Sequence, residues 1–122
     1  KPLYLFGHSL GGLITAASIA EDGDGVAGVV LSAPALLIRA PWHLRAIAGV
    51  AGALAPEARL APPLEAEGLS RIAEEVEAYR NDPMISDPRV PAKTGATAIS
   101  VSEAAWARYP QWITPVLALH GE

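Results

Sequence analysis

Short apolar runs alternate along the chain with longer segments of helical period. Residues 3–6 (Leu-Tyr-Leu-Phe) and 26–31 (Val-Ala-Gly-Val-Val-Leu) are apolar without polar alternation. Such runs predict strands buried on both faces of a parallel sheet. Between them, residues 11–20 predict a helix, closed by the polar, glycine-rich turn Glu21-Asp22-Gly23-Asp24-Gly25. Strand, helix and strand with a short return form one right-handed crossover unit. A further strand is predicted at 116–119, entered by Pro115 and left by His120-Gly121.

From 33 to 115 no run reads as a strand, a span far beyond an ordinary connection. Residues 41–54 predict a helix apolar nearly all round, with His43 and Arg45 as its clear polar positions. Residues 55–68 are proline-rich and loop-like. Residues 70–81 predict a charged amphipathic helix stopped by Asp82-Pro83, and 91–109 predict another, with Trp106 and Tyr109 three positions apart. An ordinary crossover needs only one helix, so the insertion reads as a lid over the C-terminal ends of the strands. The alternative is a set of ordinary core helices.

The sharpest local pattern is Gly7-His8-Ser9-Leu10-Gly11-Gly12, placed between the first strand and the first helix. A serine hydroxyl is a weak nucleophile and must be held exposed, where a base can take its proton. A tight strand-to-helix turn does this at the cost of strained backbone and close chain approach. Side chains two residues either side of the serine would collide there, so glycine is expected at Gly7 and Gly11. Gly12 would let the helix lie close to the neighbouring strand. The N–H of Leu10, at the helix N-terminus, would point to where an oxyanion forms. A bare G-x-S-x-G is short enough to arise by chance; the strand before it and the helix after it make it a nucleophile elbow, with Ser9 as nucleophile.

Composition narrows the partners. A net charge of −4, with only 9 Lys and Arg and these scattered, leaves no basic stripe for nucleic acid. The absence of cysteine excludes a disulfide framework and thiolate metal sites. The apolar stretch at residues 25–38 is too short to span a bilayer as a helix. The chain begins immediately before a strand and stops immediately after one, without an initiating Met, so it is expected to be an internal piece of a longer protein. The expected location is cytoplasmic.

These features together resemble the α/β-hydrolase superfamily and, within it, the monoacylglycerol lipase and lysophospholipase group. Four segments carry the resemblance: Leu5-Phe6-Gly7-His8-Ser9-Leu10-Gly11-Gly12, Val30-Leu31-Ser32-Ala33-Pro34-Ala35, Tyr79-Arg80-Asn81-Asp82-Pro83-Met84-Ile85, and Pro115-Val116-Leu117-Ala118-Leu119-His120-Gly121. The resemblance implies a partial α/β-hydrolase fold: hydrolase core with the elbow in 1–36, helical cap and connecting helix in 37–112, and in 113–122 the strand preceding a triad acid. In such enzymes the order is serine, acid, histidine. The acid would fall two residues beyond Glu122, the histidine later, and the first oxyanion loop before Lys1. The implied activity is hydrolysis of an acylglycerol or lysophospholipid ester, without metal or organic cofactor, with peripheral lipid contact through the cap. Small-ester hydrolysis, C–C hydrolysis, acyl transfer and a non-catalytic binding protein remain as alternatives on the same fold.

The other polar candidates read as structural. His8 should turn away from the Ser9 hydroxyl and bond backbone near the elbow; His120 ends a strand; His43 sits beside Trp42 as an interfacial polar residue. The three have no metal-site spacing. Asp22 and Asp24 lie in the return loop, at the end of the sheet opposite the elbow. Asp82 and Asp87 precede prolines and read as turn residues. Glu122 falls short of the triad-acid position. Tyr79 is the one candidate substrate-binding residue in the cap, through its hydroxyl.

Overall fold

A computed structural model of the chain describes residues 1–62, 65–85, 87 and 89–121. Strand β1 (Leu3–His8) leads through Ser9 into helix α1 (Leu10–Glu21), which returns to β2 (Val26–Ser32). The helices α2 (Trp42–Leu54), α3 (Ala73–Asn81) and α4 (Ala92–Trp106) follow, and β3 (Val116–Leu119) closes the series. The three strands form one open parallel sheet in the order β1-β2-β3. The chain is an α/β fold of the partial α/β-hydrolase kind.

β1 runs two residues past the apolar stretch, because ladder pairing uses only backbone groups and continues through Gly7↔Leu31 and His8↔Ser32. The helix expected over 70–81 starts only at Ala73. Ser70 Oγ accepts the Ile72 N–H and holds the preceding residues in a turn. The helix expected over 91–109 stops at Trp106, and Tyr109–Gln111 form a single 3-10 turn. Tyr109 precedes Pro110, which disfavours continuing the α conformation. The loop-like stretch 55–68 also ends in a 3-10 turn, Ala66–Gly68.

The chain divides into two compact units, Lys1–Arg45 with Ala96–Glu122, and Ala46–Gly95. In the first, Ala16 and Ile19 of α1 pack with Val29 and Leu31 of β2, joined by Leu5 of β1 and by Tyr109 and Trp112. Each large aliphatic side chain so buried contributes about 1.5–3 kcal/mol. Burial on both faces holds for neither outer strand. Leu5 and Gly7 point to the α1 side, whereas Tyr4 and Phe6 on the alternate face are 65% and 68% exposed, and all of β3 is exposed. The lone fully buried hydroxyl group of this unit among the large buried side chains, Ser102 Oγ, donates to the Ile99 carbonyl and accepts the Ile38 N–H.

The second unit is held differently. Among its described residues only Ala66 is buried. Backbone bonds from Ala92 N–H to the Ala58 carbonyl and from Lys93 N–H to the Pro56 carbonyl tie its two ends together. Arg59 and Arg89 both engage the Asp87 carboxylate, and Arg80 pairs with Glu67 and Glu77. Helix α2 buries none of its side chains within these 122 residues. An open apolar depression of about 360 Å³ lies along it, lined by Ala46, Ile47, Val50 and Ala51. No helix of the described residues is long and apolar enough to cross a membrane.

Candidate active site

Between the end of β1 and the start of α1 stands one residue, Ser9, which makes the whole reversal. Its backbone sits at φ 51°, ψ −117°, a region L-residues rarely occupy. Such a conformation costs on the order of 1–3 kcal/mol and persists only where neighbours fix it. Here they do. The Ser9 N–H donates to the Ser32 carbonyl at 3.0 Å, and the Ser9 carbonyl accepts from Leu13 N–H at 3.2 Å and Ala35 N–H at 3.1 Å. Its backbone polar groups are therefore all paired, while the exposed hydroxyl makes no capping bond to α1. Among the described residues it has no hydrogen-bond partner.

The steric demand at the turn falls on two glycines. A Cβ on Gly7 would lie 2.6 Å from the Gly11 carbonyl oxygen and 2.7 Å from Thr15 Oγ1. A Cβ on Gly12 would lie 2.6 Å from Pro34 Cβ and 2.9 Å from Pro34 Cα. Gly11 departs from the expectation that both glycines flanking the serine avoid a collision. A Cβ there meets nothing within 4 Å outside its own chain neighbours and helix turn, because its side of α1 is exposed. The close approaches are those of α1 to the end of β1 and to the segment after β2.

Leu10 is the first residue of α1, so its N–H has no partner within the helix and lies at the positive end of the helix dipole. Among the described residues no cluster of three or more His, Cys, Asp or Glu could hold a metal ion.

The remaining candidates are dispersed. His8 bonds the Ser32 side chain rather than backbone, with Nδ1 3.2 Å from the hydroxyl. A ring at the end of a parallel strand sits beside its register partner, and that partner is Ser32. His43 is exposed, edge-on to Trp42, and His120 Nδ1 lies 2.8 Å from the Gly121 carbonyl oxygen. Asp22 accepts the Asp24 N–H in the return loop. Asp82 accepts the Met84 N–H and so shapes a turn. Asp87 does the same for the Arg89 N–H, and its side-chain bonds to the Arg89 guanidinium lower its pKa to about 2. Tyr79 is half-buried on α3, within the second unit. Glu122 lies outside the described residues.

Residues 32–35 were not legible as part of the site. Ala33 stands at φ 41° and its N–H donates to the Leu119 carbonyl at 2.7 Å. The sequence signal was the break Ser32-Ala33-Pro34 at the end of an apolar strand, which marks a stop but not what the stop holds.

The family described as "Serine aminopeptidase, S33" matches residues 1–122. A monoacylglycerol lipase of Mycolicibacterium smegmatis is 34% identical over 99% of this chain and 44% of its own length. A human monoglyceride lipase is 30% identical over 98% of this chain and 40% of its own. The crystal structure of Paleococcus ferrophilus monoacylglycerol lipase superposes with a TM-score of 0.84 at 34% identity, over 99% of this chain and 48% of that one. A soluble variant of Saccharomyces cerevisiae monoglyceride lipase, at 21% identity and a TM-score of 0.76, shares the fold. The chain thus spans less than half the length of these relatives. With a strained serine between strand and helix and a match along its full length, it belongs to the monoacylglycerol lipase-like family of the α/β-hydrolase superfamily.

Proposed function

We propose that this chain carries the nucleophile of a serine carboxylic-ester hydrolase of the monoacylglycerol lipase type. The observation that carries the reading is Ser9 itself: a strained, fully bracketed backbone with a hydroxyl left exposed and unbound at a helix N-terminus. Ser9 Oγ attacks the ester carbonyl while a histidine base takes its proton. The carbonyl oxygen becomes an oxyanion that accepts the Leu10 N–H. Collapse expels the alcohol and leaves the acyl group on Ser9, and water then releases the acid. The proposed base and its orienting acid are residues other than the three histidines here, of which His8 lies against Ser32, His120 against Gly121 and His43 against Trp42.

An acyl chain is the favoured substrate part. Helix α2 offers Trp42, Leu44, Ile47, Val50 and Leu54 exposed, and each methylene buried against such groups contributes about 0.8 kcal/mol. Tyr79 is the proposed contact for the polar head group of the alcohol. The relatives named as monoacylglycerol and monoglyceride lipases support the same class. The family description favours a second reading, attack by Ser9 on the amide of an N-terminal residue.

The test compares long-chain monoacylglycerols, p-nitrophenyl acetate and aminoacyl p-nitroanilides, using the full-length protein that contains this chain. Ser9→Ala should abolish turnover of all of them. Leu44→Ser with Ile47→Ser should lower kcat/KM for long-chain monoacylglycerols about thirtyfold relative to acetate, the equivalent of two or three lost methylene contacts. An unchanged ratio contradicts acyl recognition by α2, and turnover of the anilides above the esters favours the aminopeptidase reading.

A further inference from the structure

Four contacts converge on residues 32–35, the last residue of β2 and the three after it, and three of them act on the two residues at the tip of the elbow. The Ser32 carbonyl accepts the Ser9 N–H at 3.0 Å, the Ser32 hydroxyl lies 3.2 Å from His8 Nδ1, and Ala35 N–H donates to the Ser9 carbonyl at 3.1 Å. The fourth is the close approach of Pro34 to Gly12. Among the described residues Ser32 touches both tip residues with polar atoms, one through its main chain and one through its side chain. The same segment is tied at its back, where Ala33, at φ 41°, donates to the Leu119 carbonyl at the end of β3. A left-handed alanine is costly and needs neighbours to fix it. This one lies between the residue that brackets the elbow and the strand beyond.

We propose that Ser32 is a positioning residue for the Ser9 nucleophile, acting through the ring of His8; this rests on the reading of Ser9 as nucleophile. The main-chain bonds to Ser9 fix the turn, and the side chain of the preceding residue offers a further tether. The hydroxyl–imidazole bond supplies that tether, because His8 is covalently joined to Ser9 and its ring is held to the same residue that holds the Ser9 amide. A serine displaced by a fraction of an ångström from its attack geometry loses rate without losing substrate affinity. The hydroxyl therefore acts on kcat and leaves KM unchanged. Either tautomer of the ring serves, since the hydroxyl donates to a bare Nδ1 or accepts from a protonated one.

The test is a double-mutant cycle in the full-length protein containing this chain, with p-nitrophenyl butyrate as substrate. Ser32→Ala and His8→Ala should each lower kcat about fivefold, the worth of one ordinary hydrogen bond, with KM unchanged. The double variant should lose no more than either single one, and Ser32→Thr should restore most of the rate. Additive losses, a loss carried by KM, or a fall in thermal midpoint with kcat intact would each overturn the proposal. Nitrogen NMR of His8 separates this result from the hydrolase reading. Its Nδ1 resonance should move in Ser32→Ala whether or not ester is turned over. An unmoved resonance in a protein with Ser9-dependent turnover refutes the bracket alone. A moved resonance in a protein with no such turnover refutes the hydrolase reading, and the positioning role falls with it.

Discussion

The two compact units of this chain are built on different physics. In the unit that carries the elbow, buried aliphatic side chains on α1 and β2 meet across a parallel ladder, and the turn residue has its backbone groups paired. The 46–95 unit buries one alanine among its described residues and relies on backbone bonds between loops and on exposed ion pairs. Apolar burial is worth kilocalories per residue and exposed ion pairs about 0–1 kcal/mol. A strained serine can be held rigidly only in the first kind of surroundings.

Single truncations should expose the difference most strongly. Leu13→Ala, at a position 1% exposed in the first unit, should cost about 2–5 kcal/mol. Val50→Ala, at a position 60% exposed in α2, should stay within about 0.5 kcal/mol. Denaturant midpoints measured at equal slope check both; comparable losses would mean that α2 is core after all.

A smaller effect separates the glycines of the elbow. Gly12→Ala places a methyl against Pro34 and should destabilise by about 1–3 kcal/mol. Gly11→Ala enters open space within α1 and should be neutral or stabilising by up to about 1 kcal/mol. A loss at Gly11 equal to that at Gly12 would restore the symmetrical collision expected from the motif.

The smallest effect belongs to the ion pairs. Asp87 has a folded pKa of about 2 against an ordinary 3.8, lowered by its bonds to Arg89. A carboxylate with a depressed pKa contributes stability that is present above the ordinary value and lost as pH falls through the folded one. Thermal midpoints of the parent and Asp87→Asn should therefore differ above pH 4 and converge as pH approaches 2. High salt should narrow the gap, because the pair is solvent-exposed. A gap that widens on acidification would contradict the pairing.

Legibility followed the same division. All three strands, α1 and the elbow could be read from the sequence, because apolar runs punctuated by glycine report directly on a ladder and a core. What could not be read was relational. Tyr4, Phe6 and β3 have the apolar character of buried strand residues and are exposed within these 122 residues, which span less than half the length of the relatives. Gly11 and Gly12 are indistinguishable as letters, and only the approach of Pro34 ranks them. Ser32 and Ala33 escaped because their roles rest on a hydroxyl-to-ring contact and a left-handed backbone, and neither leaves a periodic trace. The 70–81 helix lost its first turn to Ser70, whose hydroxyl competes for backbone N–H groups.

The central claim is that Ser9 is the nucleophile, and covalent labelling tests it most directly. In the full-length protein containing this chain, a fluorophosphonate probe followed by peptide mass spectrometry should place one adduct on Ser9, and Ser9→Ala should abolish it. Of the six serines among the described residues, only this one combines an exposed, unbound hydroxyl with a helix N-terminal amide beside it. An adduct on Ser32, Ser100 or Ser102, or undiminished labelling of Ser9→Ala, would contradict the account.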